Sequence, residues 1–103
     1  MHNFIDGRIN PDSTFGKKIG FTANKFSGWL WRQGNVIYIS FIMSKQEGQG
    51  NLRKLFQDIH EKGFTIKIPT PFSRMEKICE RLGFKHKIEK DEMFGDVEIM
   101  ELK

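Results

Sequence analysis

Gly48 and Gly50 stand in a polar segment, Ser44-Lys45-Gln46-Glu47-Gly48-Gln49-Gly50, between an apolar run and a helical repeat. Glycines at such a junction let the backbone turn sharply and let a ligand approach with no Cβ in the way. The first N–H groups of a helix lack intrahelical acceptors, and the dipole makes that end partly positive. Together these features suit a phosphate or pyrophosphate. Lys45, Arg53 and Lys54 add formal positive charge, whereas Glu47 is unfavourable there unless it points away. No Gly-Lys-Ser/Thr closes the loop, so it is not a Walker A motif. It also lacks the third glycine and the later acid of a dinucleotide fingerprint. Glycines that merely make the turn are the commoner meaning of so short a motif.

Other residue types offer chemistry singly. Tyr38 and Ser40 are expected on one face of a strand, where they could touch substrate or position a water, although sheet packing is the plainer use. Cys79 lies on the apolar face of a helical repeat with Met75, Ile78 and Leu82. A thiol could donate a proton there, but a cysteine on such a face usually packs. Trp29 and Trp31 share a strand face and read as aromatic core, or else as the lining of a cleft. His2, His60 and His86 show no metal-ligand spacing, so no metal site is expected.

The elements that must position these residues follow from periodicity. Residues 28–32 are aromatic and strand-like, Gln33-Gly34-Asn35 supplies turn chemistry, and residues 36–43 run nearly continuously in β-branched and aromatic side chains. A short hairpin is expected. The second strand, apolar on both faces, reads as central and covered on both sides. Leu52, Leu55, Phe56 and Ile59 recur at i, i+3, i+4 and i+7, which predicts an amphipathic helix ended by Gly63. Residues 64–68 alternate as a strand with one apolar face. Pro71 after Thr70, or Ser73 with Glu76, can open a second helix that Gly83 ends. Two strands, 84–90 and 97–102, follow around a loop with Gly95 and Asp96. Strand, helix, strand makes a parallel βαβ unit, and the terminal pair is expected antiparallel. The first 26 residues, punctuated by Gly7, Pro11, Gly16 and Gly20, predict short strands or an arm rather than a long helix.

With 103 residues, the chain fits one domain, 1–103, with an irregular segment 1–26 and a core 27–103. Thirteen per cent aromatic content argues for a packed core. A net charge of +4 permits an anionic ligand without demanding one. Cys79 is the sole cysteine, so no intrachain disulfide forms and a cytoplasmic location is expected. No apolar run approaches the roughly 20 residues of a membrane helix, and the first ten residues show no signal-peptide pattern. No membrane association is expected.

In this context, Lys45-x-x-Gly48-x-Gly50 after a central strand resembles the acyl-CoA loop of the GNAT superfamily of N-acetyltransferases, written Arg/Gln-x-x-Gly-x-Gly/Ala. Ile78-Cys79-Glu80-Arg81-Leu82-Gly83-Phe84 resembles that family's later signature, a helix ending in Tyr-Glu-x-x-Gly-Phe. Gly83 follows Gly50 by 33 residues, roughly the family's spacing. Residues 27–103 resemble the C-terminal two-thirds of the fold. Three positions depart: Lys45 replaces Arg or Gln, Cys79 replaces the Tyr that protonates the leaving thiolate, and Phe72 stands where Asn is common. The N-terminal part is short for a family that builds its acceptor site from two helices there.

The resemblance implies an α/β fold, a mixed and mostly antiparallel twisted sheet with flanking helices and a central, parallel, splayed strand pair. It implies that acetyl-CoA lies between strands 36–43 and 64–68, with Ile42, Met43, Ser44, Lys45, Gln46, Gly48, Gln49, Gly50 and Asn51 as the contact positions. Backbone N–H groups from about Gln46 to Asn51 would hold the pyrophosphate. The implied reaction is acetyl transfer to an amine, a protein lysine being one candidate acceptor, with Cys79 and Tyr38 as candidate catalytic groups. The alternative is an interaction module of the same fold with weak or lost catalysis that binds a protein. Nucleic-acid binding is the lesser rival, because Glu89, Asp91, Glu92, Asp96, Glu98 and Glu101 dilute the basic patch of Lys85, Lys87 and Lys90. The reading leaves room for a homo-oligomer.

Overall fold

The computed structural model describes residues 7–45, 50–69, 73–93 and 95–103. In chain order its elements are β1 (Gly7–Ile9), α1 (Thr14–Lys18), β2 (Phe26–Gln33), β3 (Val36–Ser44), α2 (Asn51–Glu61), β4 (Thr65–Pro69), α3 (Ser73–Arg81), β5 (Lys85–Asp91) and β6 (Gly95–Leu102). The strands form one six-stranded open sheet in the order β1-β2-β3-β4-β6-β5. Every neighbouring pair is antiparallel except β3 with β4, which is parallel. The protein is thus α/β, with a mostly antiparallel mixed sheet and three helices among the described residues.

Periodicity placed most of these elements within a residue or two. In α2 the apolar repeat turns Leu55, Phe56 and Ile59 into the core, and Leu52 packs against its edge. In β4 the alternation buries Ile66 and Ile68 and leaves Lys67 on the opposite face. These side chains meet Phe21, Phe26, Leu30, Ile37, Ile39 and Met100 in one cluster. Each fully buried Ile, Leu or Phe contributes roughly 1.5–3 kcal/mol by removal from water. The loop between β5 and β6 is tighter than expected, because Gly95 and Asp96 already belong to β6 and pair with Asp91 and Lys90.

All three helices pack on the same face of the sheet. Phe15 of α1 meets Phe64 edge-on at 5.5 Å, Phe56 of α2 meets Phe84 at 5.7 Å, and Cys79 of α3 joins the same cluster. The N-terminal segment is therefore more regular than expected. It holds a short strand and one helical turn, which Ser13 caps by accepting the Gly16 N–H at 3.0 Å. Five residues carry too little amphipathic repeat to be read in advance. Asp12, with φ at 64°, fastens this segment: its N–H donates to the Phe21 carbonyl, and its carboxylate accepts from the Ala23 N–H at 3.1 Å.

Covering by helices on one face overturns two expectations. Strand β3 is not buried on both sides, since Phe41 and Met43 are 52% and 61% exposed. Trp31 is likewise no core residue, at 47% exposure. No helix among the described residues is long and apolar enough to cross a membrane.

Candidate functional site

Strands β3 and β4 pair at only three registers, Val36 with Thr65, Ile37 with Ile66 and Tyr38 with Lys67. Beyond Tyr38, β3 stays with β2 as far as the Phe26–Ser44 pair. Beyond Lys67, β4 stays with β6 as far as the Pro69–Ile99 pair. Ladder pairing between the two halves of the sheet therefore ends at Tyr38 and Lys67, and the unpaired stretch between the C-terminal ends of these parallel strands is a notch in the hydrogen-bond ladder. Backbone N–H and C=O groups of β3 that face this notch have no strand partner among the described residues. Such groups need hydrogen bonds from somewhere, and an extended ligand bearing amides can supply them as an added strand does.

A bulge lies at the vertex. Trp31 pairs with Tyr38 and Trp29 with Phe41, so two steps along β2 match three along β3. The extra residue falls at Ile39–Ser40, opposite Leu30. A bulge bends its strand and increases its twist, which turns β3 away from β4 at the place where pairing ceases. It also shifts the side-chain alternation by one. Ile37 and Ile39 face the core before it, and Ile42 does so after it. Phe41 thus follows Tyr38 on the opposite face, an arrangement that strict alternation from Tyr38 to Ser40 misses.

Gly28 makes the close approach of β2 to this bent strand feasible. Its φ is 102°, and a Cβ there would run into the carbonyl oxygen of Phe41. The clash is with backbone, which cannot swing away as a side chain can.

The notch leads toward the start of α2. Ser44 pairs with Phe26, and the Lys45 N–H donates to the Lys25 carbonyl at 2.7 Å. Residues Gln46, Gly48 and Gln49 of the expected phosphate loop lie outside the described residues. Gly50 occupies the N-cap of α2 in the left-handed region, φ 74° and ψ 16°, and, being glycine, offers no side-chain cap of its own. Among the described residues, no atom beyond its chain neighbours lies within 4 Å of the position a Cβ would take. No acidic residue sits in the first turn, and Arg53 and Lys54 are exposed. A small cleft beside this turn is lined by Lys25, Asn51, Lys54 and Asp58. The expected contact positions divide accordingly: Ile42 packs half-buried against the core, Met43 is exposed on the opposite face, and Gly50 and Asn51 begin the helix.

The two candidate catalytic side chains lie on opposite faces of the sheet. Cys79 is fully buried in the helical core. Burial, with a smaller contribution from the Glu80 carboxylate, pushes its thiol up to about 12. Tyr38 lies on the open face at the vertex of the notch, paired with Lys67.

Around Lys67 the structure assembles a charge cluster that the sequence did not announce. Lys67 Nζ donates to Glu89 Oε2 at 2.6 Å and lies 3.7 Å from Glu101 Oε2. Lys87 Nζ is 3.5 Å and 3.6 Å from the same two carboxylates. The hydrogen bond from Lys67 lowers the Glu89 pKa, and the same bond raises that of Lys67. Two ammonium groups and two carboxylates balance, and Glu89, held by Lys67, is a poor proton acceptor at neutral pH. The one advance signal was Lys67 as the charged member of an otherwise apolar alternation. No cluster of His, Cys, Asp or Glu suited to a metal ion occurs among the described residues.

No protein-family model matches this chain, and neither a curated protein nor a solved structure matches it.

Proposed function

We propose that the protein is an acetyl-CoA-dependent N-acetyltransferase with a GNAT-like fold, transferring acetyl to an amine. The observation that carries the reading is the parallel β3–β4 pair that parts after Tyr38 and Lys67, with a bulge in β3 at the vertex. A notch of this kind suits the pantetheine arm, whose two amides can pair with the free edge of β3. The start of α2, with a left-handed Gly50 at the N-cap, no acidic residue in the first turn, and Arg53 and Lys54 exposed in that turn, suits the diphosphate at the other end of the same ligand.

In this reading the thioester carbonyl lies near the bulge. An amine nitrogen attacks it, forming the amide bond as the carbon–sulfur bond breaks, and a proton passes from nitrogen toward sulfur. Holding the two reactants together supplies much of the rate. Tyr38, at the vertex on the open face, is the side chain best placed to hand a proton to the departing sulfur. Cys79 serves packing, because a thiol with a pKa of about 12, sealed in the core, does not reach a ligand in the notch.

Calorimetric titration with acetyl-CoA and with CoA tests the proposal, with mass spectrometry of an amine acceptor to detect transfer. Saturable heat with both ligands and a raised melting temperature are expected. Millimolar acetyl-CoA giving neither would remove the reading. The position of Cys79, where the resembling family carries its acid, favours one second reading: a module of this fold that binds a protein without catalysis. Binding of CoA with no transfer to any amine would support it.

A further inference from the structure

The face of the sheet away from the helices is aromatic over its β1–β3 half. Paired registers place Arg8, Trp29, Trp31, Tyr38, Phe41 and Met43 on it. Trp29 and Phe41 rings pack against each other across strands, 5.1 Å between centres and tilted by 42°, and the Arg8 guanidinium lies 4.4 Å from the centre of the Trp29 ring. Trp, Tyr, Phe, Met and Arg are the residue types enriched where proteins meet and in the residues that dominate such contacts. The rings of Trp31 and Phe41 are about half exposed, as on a surface rather than in the enclosed pocket a small amine requires.

Charge indicates the kind of partner. Strands β1, β2 and β3 contain no Asp or Glu. Arg8 lies on the aromatic face, Lys45 follows β3, and the whole chain carries +4. An occupant that matches this half is apolar at its centre and acidic at its rim. The carboxylates of the opposite half, Glu89 and Glu101, are already engaged by Lys67 and Lys87. Phe41 and Met43 belong to the part of β3 beyond the vertex, so whatever docks on them borders the notch.

We propose that this face docks an acidic protein with an apolar patch and that this protein presents the acceptor lysine; the second half of the statement rests on the acetyltransferase reading above. The test uses two fluorescently labelled synthetic peptides of equal length, each with one lysine and the same leucines, one rich in Glu and Asp and the other rich in Arg. Anisotropy should show binding of the acidic peptide and not of the basic one. Trp31→Ser, Phe41→Ser and Arg8→Glu should each weaken binding about tenfold or more, with an unchanged circular dichroism spectrum. Equal binding of both peptides, binding of neither at millimolar concentration, or indifference to Trp31→Ser would overturn the proposal. So would preferential binding of single-stranded oligothymidylate, or a dimer in sedimentation that Trp31→Ser abolishes, since a nucleic acid or a second copy would then occupy the face. Heat on adding acetyl-CoA without acidic-peptide binding overturns docking alone. Peptide binding without acetylation of its lysine, when acetyl-CoA is present, overturns the acceptor role and leaves docking standing.

Discussion

Tyr38 and Lys67 form the last pair that β3 and β4 share, and the lysine ammonium lies 5.9 Å from the centre of the tyrosine ring. On one side of this pair the sheet is continuous; on the other it opens into the notch. Tyr38→Phe keeps the ring over the cation and removes only the hydroxyl. Its fold should be unaffected, and its acetyl-CoA affinity should stay close to that of the parent. Turnover should fall by about 10²-fold or more, the scale of a positioned acid. An unchanged rate in a steady-state transfer assay would remove Tyr38 from the chemistry.

Gly28 sets how closely β2 can follow the bent strand. Gly28→Ala adds a Cβ that meets the Phe41 carbonyl at a φ of 102°. Overpacking against backbone and the unfavourable dihedral together should cost about 1–3 kcal/mol. Urea denaturation reads this directly. Unaltered stability would mean that the bulge yields easily and does not fix the notch.

Gly50 separates conformation from ligand approach. Asn tolerates the left-handed region whereas Val does not. Gly50→Asn should leave thermal stability within about 1 kcal/mol of the parent and still weaken CoA binding, because its side chain adds bulk beside the first helical N–H groups. Gly50→Val should lose both. Calorimetry that finds CoA affinity unchanged in the Asn variant would assign the glycine to the turn alone.

Cys79 tests packing against catalysis. With the thiol fully buried, Cys79→Ala should lose about 1 kcal/mol as a small apolar truncation. Its transfer rate should be retained. The native thiol should also resist alkylation by iodoacetamide at pH 8, where a group with a pKa of about 12 is almost wholly protonated. A variant that folds and binds acetyl-CoA normally yet transfers nothing would reverse this assignment.

The Lys67–Glu89 bond has a pH signature with two limbs. Glu89 has its pKa lowered from 4.5, so its stabilising contribution is present above that value and is lost as the pH falls through its lower folded pKa. Lys67 has its pKa raised from 10.5, so its contribution is complete below that value and is lost as the pH rises through the higher folded pKa. Glu89→Gln should therefore destabilise at pH 7, by about 1 kcal/mol, since Lys67 and Lys87 keep Glu101 as a partner. The difference from the parent should shrink as the pH falls below 4.5. Melting temperatures of the two proteins across pH 2.5–8 (about 5 °C per kcal/mol) would show it. A gap that does not narrow on acidification would mean that the bond contributes nothing.

Local periodicity carried much of the fold. Leu52, Leu55, Phe56 and Ile59 specify the buried face of α2 because a helix repeats every 3.6 residues. The alternation from Thr65 to Ile68 specifies which side of β4 is dry and leaves Lys67 wet. The apolar length of residues 36–43 and the helical crossover made β3 central and parallel to β4. What the sequence alone did not determine is where those two strands stop pairing. One extra residue at Ile39–Ser40 reverses the facing of everything after it, and only register against Trp29 and Trp31 reveals it. Nor does an apolar strand announce whether both of its faces are covered. Phe41 and Met43 read as core, and they are exposed because all three helices pack on the other side. The Lys67, Lys87, Glu89 and Glu101 cluster joins β4 to the β5–β6 hairpin some twenty residues further along the chain, and the two meet only in the sheet. A face, a register and a contact across strands are non-local quantities, fixed by which surfaces meet when the chain closes on itself.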